Sequence, residues 1–341
     1  MRKIAKNNLP MLYSRLVETM DLFLPIKAGK QANFKAWQDG VNVDFDILKT
    51  GNTPKEFFLP QVETLYETTM VDGNITIEPA DTSHKQFVVF GVRACDEAAL
   101  GVLDNVYLQE PIDRFYEARR NRGHIITMAC GEPKKTCFCS VFGIDAAKPL
   151  GDVSTWLVGD TLYWQALTEK GEKLTEMVSD LLENANESAV KSYQNEIHEK
   201  IKELPYAGIS IDTFSKNSNL LELFDDTEWN DIYKACIGCG TCTFICPTCQ
   251  CYDIKDFDAG DKVKRYRCWD SCMYSDFTLM AHGNPRTSQK ERFRQRFMHK
   301  LVYHPENHKG QYSCVGCGRC INKCPASMNI IKVIKRMGGV E

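Results

Sequence analysis

The chain has 341 residues, enough for two domains or for one large domain with an appended module. Its 43% hydrophobic and 26% charged residues are those of an ordinary globular protein, and a formal net charge of -3 argues against a nucleic-acid binder. No stretch approaches the roughly 20 apolar residues of a membrane span, and no signal sequence follows Met-Arg-Lys-Ile-Ala-Lys, so a cytoplasmic location is expected.

In a reducing compartment the 16 cysteines point to metal rather than to disulfides. None precedes Cys95, four lie between Cys95 and Cys139, and the other twelve lie between Cys236 and Cys324. The N-terminal part reads as mixed α/β. Residues 86–91 form a buried-strand pattern, 92–96 a strand-to-helix turn, and 96–103 a helix. A polar helix at 112–121 and a strand at 124–129 repeat the unit. Cys95 and Cys130 then sit just past strand ends, where α/β folds build sites. Residues 152–164 read as a hairpin turning at Gly159-Asp160. Residues 169–203 are charged and helical, with a break at 184–187.

The expected organisation is an α+β or α/β domain over 1–215, then a mainly helical, bacterial-type two-[4Fe-4S] ferredoxin module over 216–341. A long insert, 248–313, interrupts that module. Within it Ser288-Gln-Lys-Glu291 is a capping box, and Phe293, Phe297 and Leu301 mark the buried face of the helix that follows. Lys262, Lys264, Arg265, Arg267, Arg286, Arg292, Arg294 and Arg296 read as a solvated face, with docking of an acidic partner as the alternative.

One repeat dominates the sequence. Cys236-Ile-Gly-Cys-Gly-Thr-Cys-Thr-Phe-Ile-Cys-Pro247 is matched by Cys314-Val-Gly-Cys-Gly-Arg-Cys-Ile-Asn-Lys-Cys-Pro325. Each copy has the C-x2-C-x2-C-x3-C-P spacing, whose fourth cysteine ligates the other cluster in two-cluster ferredoxins. The first [4Fe-4S] cluster is therefore expected on Cys236, Cys239, Cys242 and Cys324, and the second on Cys314, Cys317, Cys320 and Cys246. Pro247 and Pro325 are expected to open helices. Structural zinc normally takes two separated C-x2-C pairs, so the third cysteine and the Cys-Pro ending favour the clusters.

The remaining cysteines form two groups. Cys95, Cys130, Cys137 and Cys139 are expected to hold a third iron–sulfur cluster, with structural zinc and unliganded thiols as alternatives. Cys249, Cys251, Cys268 and Cys272 read as small buried residues packing near the clusters. His282, His299, His304 and His308 read as ordinary surface or core histidines. No dinucleotide fingerprint or P-loop occurs, so no NAD or flavin site is visible in this chain.

Several stretches together resemble the iron–sulfur electron-transfer subunit shared by anaerobic sulfite reductase and by sulfhydrogenases, where it is the beta subunit. They are Gly91-Val-Arg-Ala-Cys-Asp-Glu-Ala-Ala-Leu100 with Leu103-Asp104, Cys137-Phe-Cys139, Cys236 to Tyr252, Trp269-Asp-Ser-Cys-Met273, Arg296 to Lys300, and Cys314 to Pro325. Cys268 departs from that pattern. The resemblance implies an electron-relay subunit, beside a flavin-bearing, NAD(P)H-linked partner and a catalytic subunit of hydrogenase, sulfite reductase or heterodisulfide-reductase type. Two other readings are a reductase subunit with its own substrate-reducing cluster in the N-terminal domain, and a redox-sensing structural protein.

Overall fold

A computed structural model describes every residue except 30, 48, 84, 215–218 and 339–341. The expected boundary at 215/216 lies outside the described residues. Among the described residues, twelve strands follow one another. They are β1 (Arg2–Ala5), β2 (Asp21–Ala28), β3 (Gln31–Ala36), β4 (Val62–Val71), β5 (Asn74–Pro79) and β6 (Phe87–Val92). After them come β7 (Gly123–Met128), β8 (Val153–Val158), β9 (Thr161–Ala166), β10 (Glu183–Asn184), β11 (Tyr252–Asp258) and β12 (Lys262–Trp269).

Eight of them form one sheet in the order β10-β1-β9-β8-β7-β6-β2-β3. Its centre is parallel: β6 pairs with β2 and β7, and β7 with β8. Every residue of β6 and β7 is buried, as expected when both faces of a parallel sheet are covered. Val88 and Phe90 face one core, with Leu12, Leu16 and Trp164. Phe87 and Val89 face the other, with Phe58, Leu103 and Tyr116. Helices Ala94–Tyr107 and Arg114–Arg122 cross over from β6 to β7.

This arrangement aims the N-terminal cysteines. The β6–β7 register slips between Phe90 and Val92. At that slip Gly91 has φ +91°, and a Cβ there would press on Pro25 and Phe45. The slip turns the chain into the helix that carries Cys95 in its first turn. Arg93, buried, donates to the Ala129 carbonyl at 2.8 Å and so ties the end of β6 to the end of β7.

The second sheet runs β11-β12-β4-β5, antiparallel throughout. The first half of the insert is therefore a hairpin laid against a strand nearly two hundred positions earlier, where sequence analysis assigned no strand. Its alternating Lys-Val-Lys-Arg-Tyr-Arg-Cys-Trp pattern suits a half-covered strand. Arg267 lies inside rather than on a solvated face: it is 4% exposed and paired with Glu63 and Asp113.

A buried ion pair joins the last repeat to the first sheet. Arg319 holds Asp96 through both guanidinium nitrogens, Nη2 reaching Oδ2 at 2.8 Å. Both residues are 2% exposed. Removing one partner strands the other charge in the interior, which costs about 3–5 kcal/mol. Asp96→Asn should therefore lower the guanidinium midpoint of the iron-loaded chain by a corresponding amount. An unchanged midpoint would refute this role for the pair.

Candidate metal centres

The two cysteine repeats fold alike. Gly238, Gly240, Gly316 and Gly318 take φ of 68°, 72°, 59° and 69°, a left-handed conformation that strains residues with a Cβ. The helical turns Thr241–Phe244 and Arg319–Lys323 start directly after Gly240 and Gly318, which puts Cys242 and Cys320 in first turns. Pro247 and Pro325 do not open helices, contrary to expectation. Pro247 enters a turn closed by Cys249 N–H to the Cys246 carbonyl, and Thr248 is then anchored by Lys300. After Pro325, Ser327 at φ 52° blocks helix until Asn329 caps Ile330–Met337.

The structure brings the sequence-assigned cysteines together in three places. Cys236, Cys239 and Cys242 line one cavity with Cys324 of the other repeat. Cys246 crosses the opposite way, into the electrostatic surroundings of Cys314, Cys317 and Cys320. Cys95, Cys130, Cys137 and Cys139 line a further cavity, and Gly316 and Cys317 close its wall.

That last contact is backbone on backbone. Phe138 N–H donates to the Gly316 carbonyl at 2.9 Å, and a Cβ on Gly316 or Gly318 would run into the 136–139 main chain. Lys49 steadies the same loop by donating to Thr136 Oγ1 at 2.6 Å. Among the described residues, no three His, Cys, Asp or Glu side chains close to the spacing that would hold a single metal ion. The thiols stand around hollows instead. Burial pushes the Cys130 thiol up to about 11 and those of Cys139 and Cys317 to about 12. Loading metal on them must therefore expel protons.

Sequence reasoning missed the cations at these sites. Arg296 and Lys300 are each 4% exposed, not solvated. A five-residue π-helical stretch, His299–Tyr303, follows the capped helix Gln289–Met298, and a π turn rotates side chains relative to regular helix. Lys300 donates to Thr248 Oγ1 at 2.8 Å and to the Ser313 carbonyl at 2.9 Å. Neither cation has a carboxylate partner among the described residues, and Arg296 Nε is buried without any. Burial works against their charge, while Cys242 and Cys320 beside Arg296, and Cys246 and Cys249 beside Lys300, favour it when ionised.

Lys55, 2% exposed, reaches across from the N-terminal part. It donates to the Cys249 carbonyl at 3.0 Å and lies 3.6 Å over the Trp269 ring. Cys268 sits in β12 opposite Asp253. The His304 and His308 rings lie 4.1 Å apart, tilted by 32°, and burial pulls His304 down to about 3, leaving it neutral.

A family model described as a 4Fe-4S dicluster domain matches residues 235–328. Sulfhydrogenase 2 subunit beta of Pyrococcus furiosus is 29% identical over 346 aligned positions, covering 97% of this chain and 96% of that one. This chain is thus a homologue of a sulfhydrogenase β subunit, with a 4Fe-4S dicluster domain toward its C-terminus. No solved structure matches it. No helix among the described residues is long and apolar enough to cross a membrane.

The repeats are alike in backbone but not in surroundings. At Gly238 a Cβ would meet only the Gln289 side chain, which can swing away. At Gly316 it would meet main chain. The left-handed strain, about 1–2 kcal/mol, is common to both. Gly316→Ala should therefore destabilise the chain clearly more than Gly238→Ala in paired denaturation curves. Equal losses would show that the 136–139 loop does not bear on the repeat.

Proposed function

We propose that this chain is an electron-relay subunit holding three iron–sulfur clusters in a row. Cys236, Cys239, Cys242 and Cys324 would hold the first [4Fe-4S] cluster. Cys314, Cys317, Cys320 and Cys246 would hold the second, and Cys95, Cys130, Cys137 and Cys139 the third. The clusters would supply reversible one-electron chemistry. The observation that carries the reading is the adjacency of the sites. Cys317 belongs to the second set and lines the cavity of the third, while Arg296 interacts with both Cys242 of the first and Cys320 of the second.

The donor chemistry fits. Desolvating a cation costs several kcal/mol, so Arg296 and Lys300, without carboxylates, need another negative group at hand. A thiolate-bound cluster is such a group. The left-handed glycines leave backbone N–H groups close to where sulfur would lie, and hydrogen bonds to cluster sulfurs tune potential. Cys239, the exposed thiol among the described cysteines, brings the first site to the surface. Electrons would enter or leave there.

The relative's name describes a β subunit of a sulfhydrogenase. By analogy this chain would work beside two others. One would be flavin-bearing and NAD(P)H-linked, and the other catalytic, of hydrogenase, sulfite reductase or heterodisulfide-reductase type. The domains would divide near 215/216, with the ferredoxin module interrupted by the insert at 248–313. The chain would work in the cytoplasm.

Three cubanes require about twelve iron and twelve sulfide per chain, and two require about eight. The Cys137→Ser/Cys139→Ser chain should fall from about twelve to about eight while keeping its ferredoxin-type EPR signals. A parent chain with about eight iron and one zinc would eliminate the third cluster. NADH alone should leave the isolated chain oxidised, while dithionite reduces it. Lys300→Met removes a buried positive charge, so a neighbouring potential should become more negative. At an effective dielectric of about 20 and a separation of about 6 Å, the shift is on the order of 100 mV. A redox titration showing no shift would place Lys300 outside the electrostatics of these centres.

A further inference from the structure

The thiols of this chain are not all arranged alike. Those of the first and third sites stand around hollows. Cys251 and Cys272 instead stand side by side where Asp270 N–H meets the Cys251 carbonyl, close enough for the Cys272 thiol to interact with Cys251. Neither belongs to a four-cysteine set.

The fold holds them there. Tyr252 and Trp269 are cross-strand partners at the open end of the β11–β12 hairpin, and Asp270 N–H donates to the Cys251 carbonyl at 2.9 Å. The two chain segments thus leave the hairpin side by side. Ser271, fully buried, accepts from Thr243 Oγ1 at 2.8 Å and starts a turn closed by Tyr274 N–H at 2.9 Å. Thr243 follows Cys242, so this clamp fixes Cys272 against the first repeat. On the other side Cys249, whose thiol adjoins Cys246, precedes Cys251 by two residues. The pair therefore bridges the surroundings of the first and second sites. Buried Lys55 and Arg296 add positive charge around it. Hydrogen bonding from Cys272 lowers Cys251 to about 7, while Cys272 is raised, an asymmetry that suits one attacking sulfur and one proton-bearing partner.

We propose that Cys251 and Cys272 are a redox-active dithiol that gives up and takes back an electron pair between the two ferredoxin-type sites. Oxidation forms one S–S bond at the expense of two thiol protons, which leave to water. The two electrons depart singly to one-electron acceptors. The iron–sulfur centres proposed above are acceptors of that class, and to that extent the inference rests on that reading. Reduction runs the same balance backwards. Such a pair would let one-electron centres exchange electrons in twos.

The test uses the full-length, iron-loaded chain under anaerobic conditions. Oxidised and dithionite-reduced samples are quenched in acid with N-ethylmaleimide and digested, and reductive titration counts electrons per chain. The oxidised parent should yield the Cys251 and Cys272 peptides linked, and the reduced parent both alkylated. Cys272→Ala should take up two electrons fewer with iron content unchanged, and Cys251→Ala should do the same. Both cysteines alkylated in the oxidised parent, or equal electron uptake in parent and variants, would overturn the proposal. Loss of iron from either variant would make these residues ligands and overturn it as well. Iron in the parent chain reports separately: a linked pair in an iron-free parent would sink the cluster reading and leave the dithiol standing.

Discussion

The arrangement depends on one close approach, the 136–139 backbone lying against Gly316 and Gly318. Two main chains can approach this closely only where no Cβ intervenes, and both glycines are already left-handed for the sake of the cysteine repeat. The conformation that wraps a repeat around a cluster site therefore also gives a flat glycine face for docking. The Asp96–Arg319 pair fixes the orientation of that face, because a bidentate guanidinium–carboxylate contact constrains angle as well as distance. Asp96 follows Cys95, and Arg319 lies between Cys317 and Cys320. One ion pair thus sets the N-terminal quartet against the second repeat.

Charge is the second constraint. Arg296, Lys300 and Lys55 are inside the protein and have no carboxylate partners among the described residues. What surrounds them is sulfur. Burial lowers the proton affinity of Arg296 and Lys300, and the cysteines beside them, when ionised, raise it. The cost of desolvating these cations and the cost of gathering thiolates in a dry interior offset one another. Neither half is tolerable alone. Cations and cysteines must therefore be considered as one electrostatic unit, even though they come from segments as distant as Lys55 and Lys300.

The sequence was most legible where local chemistry decides structure. The buried runs of β6 and β7, the Gly159-Asp160 hairpin and the Ser288–Glu291 capping box all appear where their residues put them. The cysteine repeats had a spacing specific enough to mark candidate ligands, and the structure brings each set into one neighbourhood. What escaped was long-range. The β11–β12 hairpin reads weakly because its covering strand, β4, lies far back in the chain. Arg267, Arg296 and Lys300 look solvated from hydropathy, since a charge off an apolar stripe usually is. Their burial is intelligible only once Glu63, Asp113 and the thiols have been placed around them.

The insert then has a structural reason. A minimal two-repeat module could bring its own cysteines together and dock its second repeat on the α/β part through Gly316, Gly318 and Arg319. The segment between them adds two further ties: its hairpin extends β4 and β5 into a four-stranded sheet, and its capped helix with the π-helical stretch after it delivers Arg296 and Lys300 to the cysteines. Lys55, just ahead of β4, reaches the Cys249 carbonyl at the base of the hairpin. Lengthening the chain between the repeats costs little in loop entropy, because that penalty grows only logarithmically with length. In return the insert fixes the positions of both repeats relative to the sheet. For a relay this matters more than stability, since electrons can pass between centres only if their spacing is held.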